Sequence, residues 1–451
     1  MIDNARVDVK AFIDERTMGP MQWLLLALCF LVVAADGMDV AIMGFLAPSI
    51  LQEWHASRAN FGLVMSAAPI GLVLGALIAG PASDRIGRKT VLVASVLLFG
   101  IFTALTSLTG NLTEMAALRL LTGLGLGAAM PNSTTLLSEY VPQRSRSLLI
   151  AVMFTGFNLG SGMVGFAAAW LIPHFGWRSV LQAGGVLPLL LVPLLMALLP
   201  ESARFMVVRR HASERIGAVL GRVCRTRFEP GTEFVAPEPA LQSKASLRVL
   251  FLPGFGLMTA ALWVTYFMGL LVIYLLTGWL PTLIKDAGLP ISTAANITAL
   301  FQIGGTVGAI LVGWAMDRMR PTWVIGLSYA LGAVCILGLA SGGPLSTSLG
   351  LLVGAAGFFM SGAQTGLNAF APNCYPTVAR ATGVSWMLGM GRFGSILGST
   401  IGGVFLAAGW GFGAIIALLA VPALLAGAAV LKARGAADHP APAGERPLAR
   451  T

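Results

Sequence analysis

The chain is expected to fold as an all-α integral membrane protein of twelve transmembrane helices in two six-helix pseudo-repeats. Three observations carry that expectation: a composition suited to lipid, twelve apolar runs of spanning length, and two sequence patterns that recur at nearly one offset. Of 451 residues, 56% are hydrophobic and 11% charged, and mean hydropathy is +0.82. Soluble domains carry about one quarter charged residues, so this surface must meet lipid. The net charge of +10 comes with neither a basic patch on a soluble face nor a stacking aromatic module, which argues against a nucleic-acid partner. Cys29, Cys224, Cys335 and Cys374 lack metal-ligand spacing and any CxxC, so neither a disulfide framework nor a metal site is expected.

Residues 1–20 mix acids with bases. The apolar run after them is too long for a signal-peptide core and has no small-residue cleavage site, so they read as a retained cytoplasmic tail. A first six-helix half occupies 21–199, with spans near 21–48, 60–81, 90–109, 113–137, 147–172 and 178–199. Polar, strongly basic residues 200–250 form a cytoplasmic linker. The second half, 251–433, has spans near 256–281, 293–316, 322–341, 346–371, 382–407 and 411–432. Residues 434–451, rich in Ala and Pro, are expected to be a disordered cytoplasmic tail.

Basic residues orient the spans. With both termini inside, Arg58, Arg178 and Lys285 are the loop cations left outside, an asymmetry that follows the positive-inside rule and demands an even helix count. Duplication is visible in the loops. GPASDRIGRK, with Asp84 and Arg85, is matched by GWAMDRMRP, with Asp317 and Arg318, and YVPQRSRS from Tyr140 is matched by YPTVARAT from Tyr375. Duplicated halves commonly place a ligand site at their interface near the membrane midplane.

Four charges remain inside the spans: Asp36, Asp39, Arg119 and Arg392. Each costs roughly 2.5–3.5 kcal/mol at the centre of a membrane helix, which points to function. Asp36 and Asp39 are three residues apart and share a helix face; the alternative is a satisfied pair bracing neighbouring helices. At about 1.5 Å rise per residue, Asp36 and Arg119 are expected to be level, nearer the outer surface.

The loop GPASDRIGRK resembles the GxxxDRxGRR/K signature of the major facilitator superfamily, and RLLTGLGLG from Arg119 resembles its fourth-helix arginine and glycine motif. More narrowly, DGMDVAIMGFLAP, LPESARF, YLLTGWLPTLIKDAG, GAQTGLNAF and YPTVARATGVSWMLGMGRFGSILG resemble the aromatic acid:proton symporters, most of all the 4-hydroxybenzoate/protocatechuate permeases of bacterial inner membranes. The resemblance covers nearly the whole chain except linker and tail. It implies the major facilitator fold and proton-coupled import of an aromatic carboxylate, powered by the proton gradient without a cofactor.

Within that frame Asp36 and Asp39 are expected to carry the coupling proton, with Arg119 as shifting counter-ion. Arg392 has no acidic neighbour in its own half, and its planar fork suits a carboxylate ligand; pairing with Asp36 or Asp39 across the halves is the competing reading. Trp386, Tyr266 and Tyr274 are candidates to stack a ligand ring, and Gln302, Gln364, Asn368 and Asn158 to bind ring hydroxyls. Trp279, before Pro281, reads as an interfacial anchor, and Asn132 as a residue that bends its helix. Asp84, Arg85 and Arg88 are expected to latch one face shut, with Asp317 and Arg318 forming a weaker or asymmetric counterpart.

Other classes fit poorly. No GxxxxGK[ST] is present for an ATP-driven pump, and His55, His174, His211 and His439 lie in loops or tails, away from any catalytic constellation. Import of gallate, vanillate or benzoate, or antiport of organic anions outward, remains open on the residues alone.

Overall fold

Lipid offers the backbone no hydrogen-bond partners, so the apolar runs become helices that satisfy themselves. The computed structural model describes residues 6–229, 231–236, 250–251, 255–342, 348–375 and 377–433. The tail at 434–451, most of the later linker and the Arg380 side chain lie outside the described residues. After a short strand β1 (Arg6–Asp8) and helix α1 (Val9–Asp14), the first half comprises α2 (Pro20–Glu53), α3 (Arg58–Ile86), α4 (Arg88–Thr106), α5 (Leu112–Tyr140), α6 (Gln143–Phe175) and α7 (Trp177–Leu198). Then come α8 (Ala203–Val208), α9 (Ser213–Cys224) and strand β2 (Glu233–Val235). The second half comprises α10 (Gly256–Asp286), α11 (Ile291–Met316), α12 (Pro321–Gly342), α13 (Leu349–Phe370), α14 (Thr377–Ala407) and α15 (Phe412–Val430).

Local chemistry sets several helix starts. Pro20 occupies the first turn of α2, where its missing N–H costs nothing, and Gln22 Oε1 accepts the Gly19 N–H at 2.6 Å. Asn111 caps α5 by accepting the Glu114 N–H at 2.9 Å. Among the described residues nine helices are long and apolar enough to cross a membrane. The other long helices, α5, α13 and α14, span 29, 22 and 31 residues and carry the polar side chains Arg119, Gln364 and Arg392. Leu77, Leu190 and Leu351 are 70%, 66% and 77% exposed, an arrangement that suits lipid and would be unfavourable in water.

Helix neighbours repeat between the halves. In the first, α2 packs on α6, α3 on α5, and α4 on α5 and α7; in the second, α10 packs on α14, α11 on α13, and α12 on α13 and α15. Contacts across the halves obey the same exchange: α6 meets α11, α3 meets α14, and α2 meets α10. The duplication seen in the loops is therefore a pseudo-twofold relation in packing.

One end of this interface is closed. Arg58 Nη2 pairs with Asp286 Oδ2 at 2.7 Å, and Lys285 Nζ donates to Gln52 Oε1 at 3.1 Å. Phe61 meets Trp279 edge to face, with centroids 6.1 Å apart. Gly44 allows α2 to touch α10, since a Cβ there would come within 2.3 Å of the Thr277 carbonyl oxygen. A continuous apolar core joins the halves here through Phe45, Phe61, Trp279 and Leu280.

A small cap covers the first half. Strands β1 and β2 pair in parallel, Val7 opposite Phe234, and Phe228 packs tilted against Phe12 and edge to face with Phe234, with centroids 5.1 Å apart in both pairs. Val9, Ile13, Ile216, Leu220 and Val223 belong to the core of the first half. Structure within residues 6–14 and 203–235 thus goes beyond the plain tail and linker read from polarity.

Candidate functional site

The apolar run of α2 carries both aspartates, and its neighbours separate them. Asp39 turns into the first half, where Arg119 of α5 grips it at two points: Nη1 to Oδ1 at 3.0 Å and Nη2 to Oδ2 at 2.6 Å. Arg119 Nη2 also donates to the Asp39 carbonyl at 3.2 Å, and Thr103 of α4 donates to Oδ1. Both charged side chains are fully buried. Removing one member of such a pair strands the other and typically costs about 3–5 kcal/mol. Arg119 is thus engaged with Asp39 in this structure, and no ion pair joins it to Asp36 among the described residues.

Asp36 is 2% exposed, and its Oδ1 has no hydrogen-bond partner. Arg392 of α14 lies within electrostatic reach of it across the halves, and no ion pair within 4.0 Å closes on either residue among the described residues. Tyr274 of α10 interacts with the Arg392 guanidinium and feels the Asp36 charge. A carboxyl with one unpartnered oxygen from one half therefore lies in the field of a cation from the other that Tyr274 engages. Beside Asp36, Ser161 of α6 donates to the Gly37 carbonyl at 2.6 Å and fixes α6 against α2.

A pocket opens between the halves, lined from both of them. Its polar points are Arg119, Asn158, Ser161, Tyr274, Thr277, Gln302 and Ser399; Met43, Met65, Leu72, Phe157 and Ile273 supply apolar wall. Gln302 Nε2 donates to Thr277 Oγ1 at 3.2 Å. Asn158, Tyr274 and Gln302, expected from sequence, do line this space. Phe157, Ser161 and Thr277 were not singled out, because a phenylalanine, a serine or a threonine in an apolar run carries no signal of its own.

The remaining expected residues sort into other places. Tyr266 is buried and interacts with Gln364, Asn368 and the Arg392 charge, while Asn368 is itself exposed. Trp386 does not line the cavity: it is 42% exposed and stacks on Trp263 at 6.0 Å. Six residues along a helix turn its side chain by about 240° from that of Arg392. Trp279 is not an interfacial anchor; it is fully buried and donates to the Ser399 carbonyl at 2.8 Å. Pro281 does not end its helix, which continues to Asp286. Asn132 stays within its own helix, donating to the Ala128 carbonyl at 2.7 Å.

The loop residues expected to latch one face engage partners in their own half. Asp84 pairs with Arg88 at 2.9 Å, Arg88 Nε lies 3.8 Å from Glu139, and Arg209 donates to the Asp84 carbonyl at 2.9 Å and the Arg85 carbonyl at 3.4 Å. In the second half, Arg318 folds back onto Trp314, donating to its carbonyl at 3.2 Å and lying 4.0 Å from its ring; no ion pair involves Asp317 among the described residues. The ion pair that does bridge the halves is Arg58 with Asp286, at the opposite end, because that is where the helices are in contact.

Comparison with known proteins gives one consistent answer. The profile of the Major Facilitator Superfamily matches residues 28–354 and 262–450. A gallate transporter of Pseudomonas putida is 58% identical, covering 95% of this chain and 95% of that protein. The 4-hydroxybenzoate transporter PcaK of Pseudomonas aeruginosa is 51% identical, covering 96% of this chain and 97% of the other. Among solved structures, the inward-open xylose transporter XylE from E. coli aligns with a TM-score of 0.70 at 17% identity, over 90% of this chain and 95% of that one, a likeness of fold. The relatives are transporters, not enzymes.

Proposed function

Since the chain belongs to the major facilitator superfamily, we propose that it is a proton-coupled secondary transporter that imports an aromatic carboxylate, such as 4-hydroxybenzoate or protocatechuate, by alternating access. The observation that carries this reading is that Asp36 of one half lies in the field of Arg392 of the other, beside a mostly apolar pocket between them. A planar guanidinium suits a carboxylate, and the apolar walls suit a ring. Relatives named for 4-hydroxybenzoate and gallate support the ligand class. Gallate is the second reading, favoured by the 58% identical relative.

The two aspartates have different work in this proposal. Asp39 is committed to Arg119 and braces α2 on α5. Asp36 takes the proton. When Asp36 is neutral, Arg392 is free to hold the ligand carboxylate; when Asp36 ionises, it competes for Arg392 and displaces the ligand. Release and deprotonation are thereby linked, and the gradient supplies the energy without a cofactor. An inner-membrane location with both termini cytoplasmic belongs to the same reading, supported by the excess of basic loop residues on one side.

Purified protein in liposomes tests the proposal. An outside-acid gradient should drive accumulation of radiolabelled 4-hydroxybenzoate, with protocatechuate, gallate, vanillate and benzoate ranked as competitors. Accumulation indifferent to the gradient, or driven outward by it, would overturn the import reading.

A further inference from the structure

Tyr329 of α12 is fully buried, and its hydroxyl donates to Gln364 Oε1 of α13 at 2.7 Å. Gln364 is 6% exposed, and its Nε2 makes no hydrogen bond. Gly269 of α10 leaves room for this pair: a Cβ there would come 2.2 Å from Gln364 Oε1 and 2.5 Å from the Tyr329 hydroxyl. Tyr266, one turn earlier on α10, interacts with Gln364 and lies in the field of Arg392. Four helices thus bring an amide N–H₂, two phenols and the field of a guanidinium into one neighbourhood.

A glutamine is two-faced, and an unrestrained one can offer a ligand either its carbonyl or its N–H₂. Here the buried phenol has one proton to give and gives it to Oε1, so the donor end is left without a hydrogen bond. A free donor in the neighbourhood of an arginine is matched to an acceptor bearing negative charge.

We propose that Tyr329 is a positioning residue, holding the Gln364 amide so that its N–H₂ acts with Arg392 to receive the ligand carboxylate. The proposal rests on the reading above in which Arg392 holds the ligand carboxylate, and it adds Gln364 to that reading. It adds a selectivity rule: the site favours a carboxylate over its neutral carboxamide because both groups opposite the ligand only donate. Freed from the phenol, the amide can turn over and present its carbonyl to a carboxamide N–H₂.

The test is a two-residue cycle on full-length protein in liposomes, with the amount of folded protein measured for each variant. KM and maximal rate are read for radiolabelled 4-hydroxybenzoate, and 4-hydroxybenzamide is the neutral competitor. Tyr329→Phe should raise KM about tenfold, the loss expected for one charge-assisted hydrogen bond, with maximal rate within about twofold. The preference for carboxylate over carboxamide should narrow by a similar factor. In a Gln364→Leu background, Tyr329→Phe should add nothing further; Gln364→Met, closer in shape, replaces Leu if the yield of folded protein falls. Penalties that multiply, or a loss of rate at unchanged KM and unchanged preference, would overturn the positioning role. Unchanged KM in Gln364→Leu itself would instead overturn the ligand-facing reading of Gln364. Wild-type protein that carries neither 4-hydroxybenzoate nor gallate would overturn the functional reading and this inference with it.

Discussion

Asp39 and Arg119 are locked by two charge-assisted hydrogen bonds, 2.6 and 3.0 Å long, inside the first half, while Asp36, one helical turn away, keeps an oxygen with no partner. Neighbouring carboxylates on one helix face thus live in opposite circumstances. One is saturated by hydrogen bonds. The other is buried with an oxygen that has none.

Breaking the saturated pair should damage the fold. Arg119→Ala and Asp39→Ala are each expected to cost about 3–5 kcal/mol, because the survivor is left buried and unmatched. Thermal melting in detergent is the measurement. A double variant Asp39→Asn with Arg119→Gln should lose less than the two single losses combined.

Asp36→Asn should leave the fold intact and uncouple it. Accumulation driven by an outside-acid gradient is expected to vanish, while ligand exchange between two equal pools continues, since exchange needs no net proton movement. Loss of both activities together with full folding would assign Asp36 to the ligand instead.

At Arg392 the expected loss is one of affinity. Arg392→Ala should weaken 4-hydroxybenzoate binding roughly 10- to 100-fold, and Arg392→Lys should recover part of it, since an ammonium keeps the charge but not the fork. Calorimetric titration of purified protein gives the comparison directly.

At the closed end, Gly44→Val should stop the cycle by sterics, because even a Cβ would come within 2.3 Å of the Thr277 carbonyl. Binding measured from the other face should survive. Cysteine-accessibility labelling at positions near Gln52 should rise in the variant, reporting an end that no longer seals.

The ion pair at the same end is a weaker device. Arg58 and Asp286 are 40% and 29% exposed, so their attraction is worth about 0–1 kcal/mol. Arg58→Glu should change the transport rate by no more than about fivefold, and adding Asp286→Arg should restore it.

Much of this architecture was legible because lipid imposes long apolar runs and duplication leaves matching loops. The partition of Asp36 from Asp39 was not, since a three-residue spacing gives a shared face but not which neighbour each side chain meets. Trp279 misled because a nearby proline resembles a helix end, whereas membrane helices tolerate interior prolines when neighbours satisfy the backbone. The latch expected at Arg85 and Arg88 depended on which end of the halves is in contact, a property of conformation that no local motif encodes. Tyr329 gave no signal, since its part depends wholly on the amide of a residue on the next helix.

The pairing of Arg6–Asp8 with Glu233–Val235 has a consequence for biogenesis. The opening strand cannot find its partner until the ribosome has synthesised the whole first half and the residues beyond it. Once that strand zips up, the first six long helices are bracketed by their own beginning and end before most of the second half exists. Translation would then deliver a finished hemisphere against which the later helices assemble, and a bulky N-terminal fusion would interfere at that moment of closure.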